Sequence, residues 1–128
     1  MGETPKCAVV IPTHERRGKV SALLSSLATH AGPLLAEVIV VDDSREPTVR
    51  REQFPQLDLR VVRLDERAFI SRARNVGLSH MRSEFVYVVD DDNLCDPSTL
   101  PHPLTSLDGD RTLGALMPSV LYLSLIHI

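Results

Sequence analysis

At 128 residues, with 43% apolar and 24% charged side chains, the chain has the make-up of one globular domain with a proper core. A net charge of −3 with scattered basic residues leaves no nucleic-acid footprint, and 4% aromatics without tryptophan leave no stacking platform for single strands or sugar polymers. Nothing is long enough to span a membrane, the first residues lack the apolar run of a signal peptide, and Cys7 and Cys95 lack metal-ligand spacing and read as small buried hydrophobes.

Cys7 to Ile11 predicts a first buried strand, left through the turn Pro12-Thr13-His14-Glu15. Val20, Leu23, Leu24, Leu27 and Ala28 recur at helical spacing and predict an amphipathic helix from about Arg17 to Thr29, broken by Gly32-Pro33. Glu37 to Val41 is a second apolar strand that ends in Asp42-Asp43-Ser44. A polar connection with a short helix at Thr48 to Gln53 leads to a third strand at Leu59 to Leu64. Ile70, Ala73, Gly77 and Met81 mark one face of a helix over 70–81, and its small residues suit a close approach to the sheet.

Phe85 to Val89 reads as a fourth strand, buried on both faces. Beyond Asp96-Pro97 a short helix is expected near Ser98 to Leu107, weakened by Pro101 and Pro103. Asp108-Gly109-Asp110 reads as a turn, and Leu113 to Met117 with Val120 to Leu123 as a strand pair. Strands alternating with helices predict an α/β fold: βαβ units, a mostly parallel Rossmann-like sheet with helices on both faces, in one domain over 1–128.

In such sheets ligands bind outside the carboxyl ends of the strands. Three ends carry polar groups here: Pro12 to Glu15, Asp42-Asp43, and Asp90-Asp91-Asp92. Three adjacent carboxylates repel one another unless a cation sits among them, and a hard divalent ion, Mg²⁺ or Mn²⁺, suits oxygen ligands. If the strand pleat continues, Asp90 and Asp92 share a face and Asp91 points elsewhere. The bland alternative is a solvated acidic turn.

Neither Gly-x-Gly-x-x-Gly nor a Walker-type Gly-Lys-Ser/Thr follows the first strand, so a phosphate ligand would depend on a metal for neutralisation. Asp42 or Asp43, one strand over, could accept hydrogen bonds from a base or ribose. Arg72, Arg74 and Asn75 open the helix before the acidic strand and suit a diphosphate or nucleotide edge. The five histidines show no ligand spacing and read as structural or surface residues, with only His14 notable for its position.

Four segments in order, Ala8-Val-Val-Ile-Pro-Thr-His-Glu-Arg16, Val40-Val-Asp-Asp-Ser44, Ala73-Arg-Asn-Val-Gly77 and Val88-Val-Asp-Asp-Asp92, resemble the family 2 glycosyltransferases across about residues 7 to 100. The resemblance implies the GT-A fold, a nucleotide-diphosphate sugar as donor, and a sugar, lipid or protein acceptor that it leaves open. It implies that Pro12, Thr13 and Glu15 line the nucleotide pocket, that Asp43 with Asp42 beside it contacts the base, and that Arg74 lies near the nucleotide. By the same resemblance Asp90 to Asp92 match an Asp-x-Asp motif, Asp91 approaching the ribose and Asp92, with Asp90, holding Mg²⁺ or Mn²⁺. The reaction implied inverts the anomeric centre.

The segments that carry the family's catalytic base and acceptor site have no counterpart after Asp96, so the chain is expected to be a donor-binding part, incomplete at its C-terminus. Three other readings compete. A sugar nucleotidyltransferase would show a Gly-rich basic loop after the first strand. A non-catalytic nucleotide-binding fragment would keep the pocket alone. A two-component receiver would need its acidic pair after the first strand and a downstream lysine, and the lysines are Lys6 and Lys19. Activated sugars of this kind place the expected site of action in the cytoplasm or on the cytoplasmic face of a membrane.

Overall fold

In the computed structural model, which describes residues 6–97, 99–110, 112 and 114, β1 (Cys7–Thr13) is the spine of the sheet, and all seven of its residues are buried. It pairs in parallel with β2 (Leu35–Asp42) on one side and β4 (Phe85–Val88) on the other. β3 (Leu59–Arg63) extends the sheet beyond β2, giving the order β3-β2-β1-β4 among the described residues. The chain steps outward from β1 to β3 and then returns to the far side of β1. Strand order therefore reverses between β1 and β4, the place where ligand crevices form in open α/β sheets.

The two faces are packed differently. On one, α1 (Arg17–Ala31) lays Val20, Leu23, Leu24 and Leu27 against Val9, Ile11, Val38 and Val40, and Leu100 and Leu104 join this large core. On the other, α2 (Phe69–His80) meets Val10, Ile39 and Val41 through Ala68 and Ala73. A Cβ at Gly77 would overlap Val10 Cγ1 and stand 3.2 Å from Val41 Cγ2, so the backbone of α2 rests directly on the sheet. Glu37, buried at the start of β2, accepts hydrogen bonds from Arg82 N and Ser83 Oγ, both at 2.8 Å, and so aims the chain into β4.

Several expectations shift by physical cause. β4 is half-buried rather than enclosed, because β1 is its one strand partner among the described residues; Val88 is 36% exposed, and Val89 is buried just past the strand. Only Arg51–Gln53 forms a turn of 3₁₀ helix where a helix over 48–53 is expected. Ile70 is 46% exposed, so Ala73 and Gly77 are the buried residues of α2, with Val76 and, just past the helix end, Met81 packed partly buried against the same core. Pro101 and Pro103 open α3 (Pro101–Gly109) instead of weakening it, since first-turn N–H groups have no helical partner to lose. Asp108 and Gly109 close that helix rather than forming a separate turn. The strand pair expected over 113–123 lies outside the described residues. Among the described residues no helix is long and apolar enough to cross a membrane.

Candidate functional site

Three strand ends build the site. At the end of β1, Thr13 turns its hydroxyl across to β4 and donates to Asp91 Oδ2 at 2.8 Å. His14 follows, its Nδ1 2.7 Å from Asp43 Oδ1; an ionised carboxylate only accepts, so Nδ1 carries the proton. Glu15 has φ 54, a left-handed conformation that a non-glycine residue adopts only when held. Two bonds hold it: Glu15 N–H donates to Ser44 Oγ at 2.6 Å, and its carboxylate accepts Arg45 N–H at 2.8 Å. Arg16 precedes α1 and reaches toward the β4 end.

At the end of β2 the two aspartates have separate fates. Asp42 is fully buried and accepts from Ser44 N, Thr48 N and Thr48 Oγ1, each at 2.9 Å, with Arg63 Nη1 at 3.2 Å. Burial opposes its ionisation, but the Ser44 and Thr48 donors outweigh that and hold its pKa below the usual carboxylate value. Asp43 faces the neighbouring cavities instead, with its side chain only 6% exposed. Its second oxygen accepts Ala68 N–H at 2.6 Å and so fixes the entry to α2. Phe69, next in the chain, is also left-handed (φ 57) and 68% exposed, with the Arg67 guanidinium 4.9 Å from its ring centre.

The acidic run lies just beyond β4, which stops at Val88. Exposure still alternates along it, Asp90 and Asp92 half-exposed and Asp91 turned inward. Asp90 pairs with Arg74 at 2.8 Å. The Asp91 side chain is 7% exposed and takes Arg16 Nη1 at 3.3 Å besides Thr13. Asp92 is half-exposed, and the same Arg16 nitrogen lies 3.8 Å away.

Between these ends lies a cavity of about 530 Å³ lined by Pro12, Thr13, His14, Arg16, Asp43, Arg67, Phe69, Ile70, Ala73 and all three acids. A neighbouring hollow of about 400 Å³ shares His14, Asp43 and Arg67 as its wall and adds Ser44, Arg45, Arg63, Leu64 and Asp65. Six sequence candidates thus meet on the larger cavity: Pro12, Thr13, Asp43, Asp90, Asp91 and Asp92. Arg74 touches it through Asp90, and its buried Nε has no hydrogen-bond partner among the described residues. Glu15, Asp42 and Asn75 line neither space: Glu15 clamps a loop, Asp42 is internal and Asn75 is exposed on α2. Sequence reasoning missed Arg16, Arg67 and Phe69 and discounted His14. For His14 and Arg16 the available signal was their position in the turn leaving β1.

Chemically, guanidinium groups suit phosphate oxygens and carboxylates suit a hard cation. Among the described residues no group of three or more His, Cys, Asp or Glu side chains converges as a closed metal site. Asp92 is nevertheless half-exposed on the cavity, with Asp90 beside it. Ions such as Mg²⁺ often take one or two carboxylates and complete their shell with substrate phosphate, and this donor set fits that pattern.

Fold and cavity together define an α/β protein with an open crevice at its strand-order reversal, where ligands bind in open α/β sheets. The profile of Glycosyl transferase family 2 matches residues 8–123, and the chain belongs to that family. An uncharacterized glycosyltransferase of Haemophilus influenzae is 30% identical over 90 residues, covering 70% of this chain and 30% of that protein. The structure of Staphylococcus aureus TarS in complex with UDP-GlcNAc superposes with a TM-score of 0.70 at 32% identity, covering 81% of this chain and 31% of that one. The mannosyltransferase PcManGT of Pyrobaculum calidifontis, in complex with GDP-Man and Mn²⁺, superposes with a TM-score of 0.77 at 30% identity, covering 88% and 35%. The chain therefore spans about a third of the length of each of these relatives.

Proposed function

We propose that the chain is the donor-binding part of a glycosyltransferase that moves a sugar from a nucleotide-diphosphate sugar to an acceptor hydroxyl with inversion, using Mg²⁺ or Mn²⁺. One observation carries this reading: side chains from three strand ends, Thr13, Asp43 and Asp90 to Asp92, meet on one cavity of about 530 Å³. Two similar structures, one with UDP-GlcNAc and one with GDP-Man and Mn²⁺, support it.

In this reading each residue has a defined task. Asp43 is held rigid by His14 and Ala68 N–H, and each of its oxygens keeps a free lone pair to accept a base N–H. Asp91, locked by Thr13, presents its carboxylate to the ribose hydroxyls. Arg74 and Arg16 supply guanidinium donors to the diphosphate. Asp92, with Asp90, would hold the divalent ion, which when bound offsets charge on the departing diphosphate. The acceptor oxygen bonds to C1 as the C1–oxygen bond to the diphosphate breaks, and a base takes the acceptor proton. The proposed place of action is the cytoplasm or the cytoplasmic face of a membrane, where such donors are available.

Calorimetric titration of the full chain with UDP, GDP and dTDP, with and without Mn²⁺, tests the reading. Metal-dependent binding of one diphosphate is expected, and Asp92→Ala abolishes it. A folded chain that binds none of the three overturns the reading.

A further inference from the structure

Three adjacent carboxylates require counter-charge, and in this structure arginines supply it. Arg74 neutralises Asp90 at 2.8 Å, whereas Asp91 and Asp92 share a single guanidinium nitrogen, Arg16 Nη1, at 3.3 and 3.8 Å. From this geometry we propose that Arg16 is an exchangeable counter-ion for the Asp91–Asp92 pair, giving way to a divalent cation when a nucleoside diphosphate arrives. The inference rests on the donor-site reading above and adds to it an order of events: metal and nucleotide bind as a coupled pair.

Four features of the site argue for exchange rather than a permanent ion pair. The two Arg16 contacts are longer than the ~2.7–2.9 Å of a strong charge-assisted hydrogen bond, unlike the Arg74 contact. The Arg16 side chain is 51% exposed and long, while its backbone is fixed by Val20 N–H donating to Arg16 O at 3.0 Å, so the head can swing without disturbing α1. Asp91 stays anchored by Thr13 when Arg16 leaves. Among the described residues Asp92 then keeps only a 3.4 Å contact from Asn93 Nδ2, so it is the carboxylate with most capacity for a new cation.

A guanidinium and a divalent ion cannot both sit against Asp92, because like charges about 4 Å apart repel strongly in a partly desolvated site. Without nucleotide, Arg16 therefore holds metal affinity down. A diphosphate offers the displaced guanidinium a better, bidentate partner and offers the ion further oxygens, so each ligand raises the affinity for the other. Such coupling is reciprocal by thermodynamic necessity.

The test is Mn²⁺ binding to the full chain, followed by the electron paramagnetic resonance signal of free Mn²⁺, for the natural protein and for Arg16→Gln, Arg16→Lys and Asp92→Asn. Without nucleotide, Arg16→Gln is expected to bind Mn²⁺ about tenfold tighter than the natural protein, within the usual range of site-to-site coupling. UDP or GDP should then tighten Mn²⁺ binding less in that variant, and Arg16→Lys, which keeps the charge, should track the natural protein. If Asp92→Asn abolishes Mn²⁺ binding but Arg16→Gln leaves nucleotide-free affinity unchanged or weaker, Arg16 is a static ion pair and the exchange proposal is overturned alone. If Mn²⁺ binding survives Asp92→Asn, the metal assignment falls and takes the exchange with it.

Discussion

Two stretches of this chain are almost the same in sequence and opposite in physical character. Val40-Val-Asp-Asp-Ser44 and Val88-Val-Asp-Asp-Asp92 each end a parallel strand at the same edge of the sheet. In the first, Asp42 still belongs to β2, is fully buried, and is saturated by donors from its own loop and from Arg63 on the adjacent strand. In the second, β4 stops before the acids begin, and their charge is met by long arginine side chains reaching in from α2 and from the loop before α1. Donors rooted in the backbone make an acid structural. Donors on flexible arms leave it open to a ligand.

The largest effect should come from breaking the saturated end. Asp42→Ala strands the Ser44 and Thr48 N–H groups in a buried setting, while Arg63, a third exposed, keeps the carbonyls of Ser44 and Arg45, so a loss of roughly 2–4 kcal/mol in urea unfolding is expected. A loss below about 1 kcal/mol, the scale of a surface ion pair, would erase the contrast between the two ends. The pH dependence carries a sign. The pKa of Asp42 in the folded chain lies below the 3.8 of the free carboxyl, so the unfolded chain binds the proton more readily. The stabilisation is complete above about pH 3.8 and fades as pH falls through the lower folded value. Asp42→Asn should flatten the acid limb of the stability profile in that window.

Much of this contrast was hidden in the sequence, and the reason is specific. Strand and helix alternation, the close seat of α2 through Ala73 and Gly77, and the meeting of three polar strand ends all follow from patterns that repeat along the chain. Which aspartate of Asp42-Asp43 turns inward depends on Thr48 and Arg63, six and twenty-one residues away, and no local pattern encodes that. That Asp90 and Asp92 stay half-exposed while Asp91 between them turns inward was legible as alternation, but the apolar run through Val89 gives no sign that β4 stops at Val88. Arg16 and Arg67 look like ordinary surface cations until the turn geometry brings them to the cavity. Phe69 shows nothing in sequence of its exposed, left-handed position.

The second effect tests how the open end is held from below. Arg74 reaches Asp90 only because α2 lies hard against β1 and β2, and Gly77 is the point of closest approach. Gly77→Ala would drive its Cβ into Val10 Cγ1, which is fully buried in the sheet and has no room to yield. Overpacking of this kind typically costs about 1–3 kcal/mol. Thermal unfolding should report that loss, and diphosphate binding should weaken with it as Arg74 is carried away from Asp90. Full binding despite reduced stability would show that the acidic end does not depend on the seat of α2.

The smallest effect separates the two ends most sharply, because its sign reverses. Asp92 is half-exposed, its Arg16 contact is long, and it stands beside two other carboxylates. Asp92→Asn removes one of three like charges while keeping the side chain's shape. The lost attraction to Arg16 at 3.8 Å is weak and solvent-screened, and removing the charge also relieves repulsion from the adjacent acids. Stability in urea should therefore hold or rise by a few tenths of a kcal/mol, the range of surface substitutions. The same variant is expected to lose metal-dependent diphosphate binding altogether. A residue whose removal leaves the fold slightly better off and the ligand unbound is kept for the ligand, a balance expected where a site holds unfavourable charge in readiness. If Asp92→Asn instead destabilises the chain as Asp42→Ala does, the acidic run after β4 is a structural staple like that of β2.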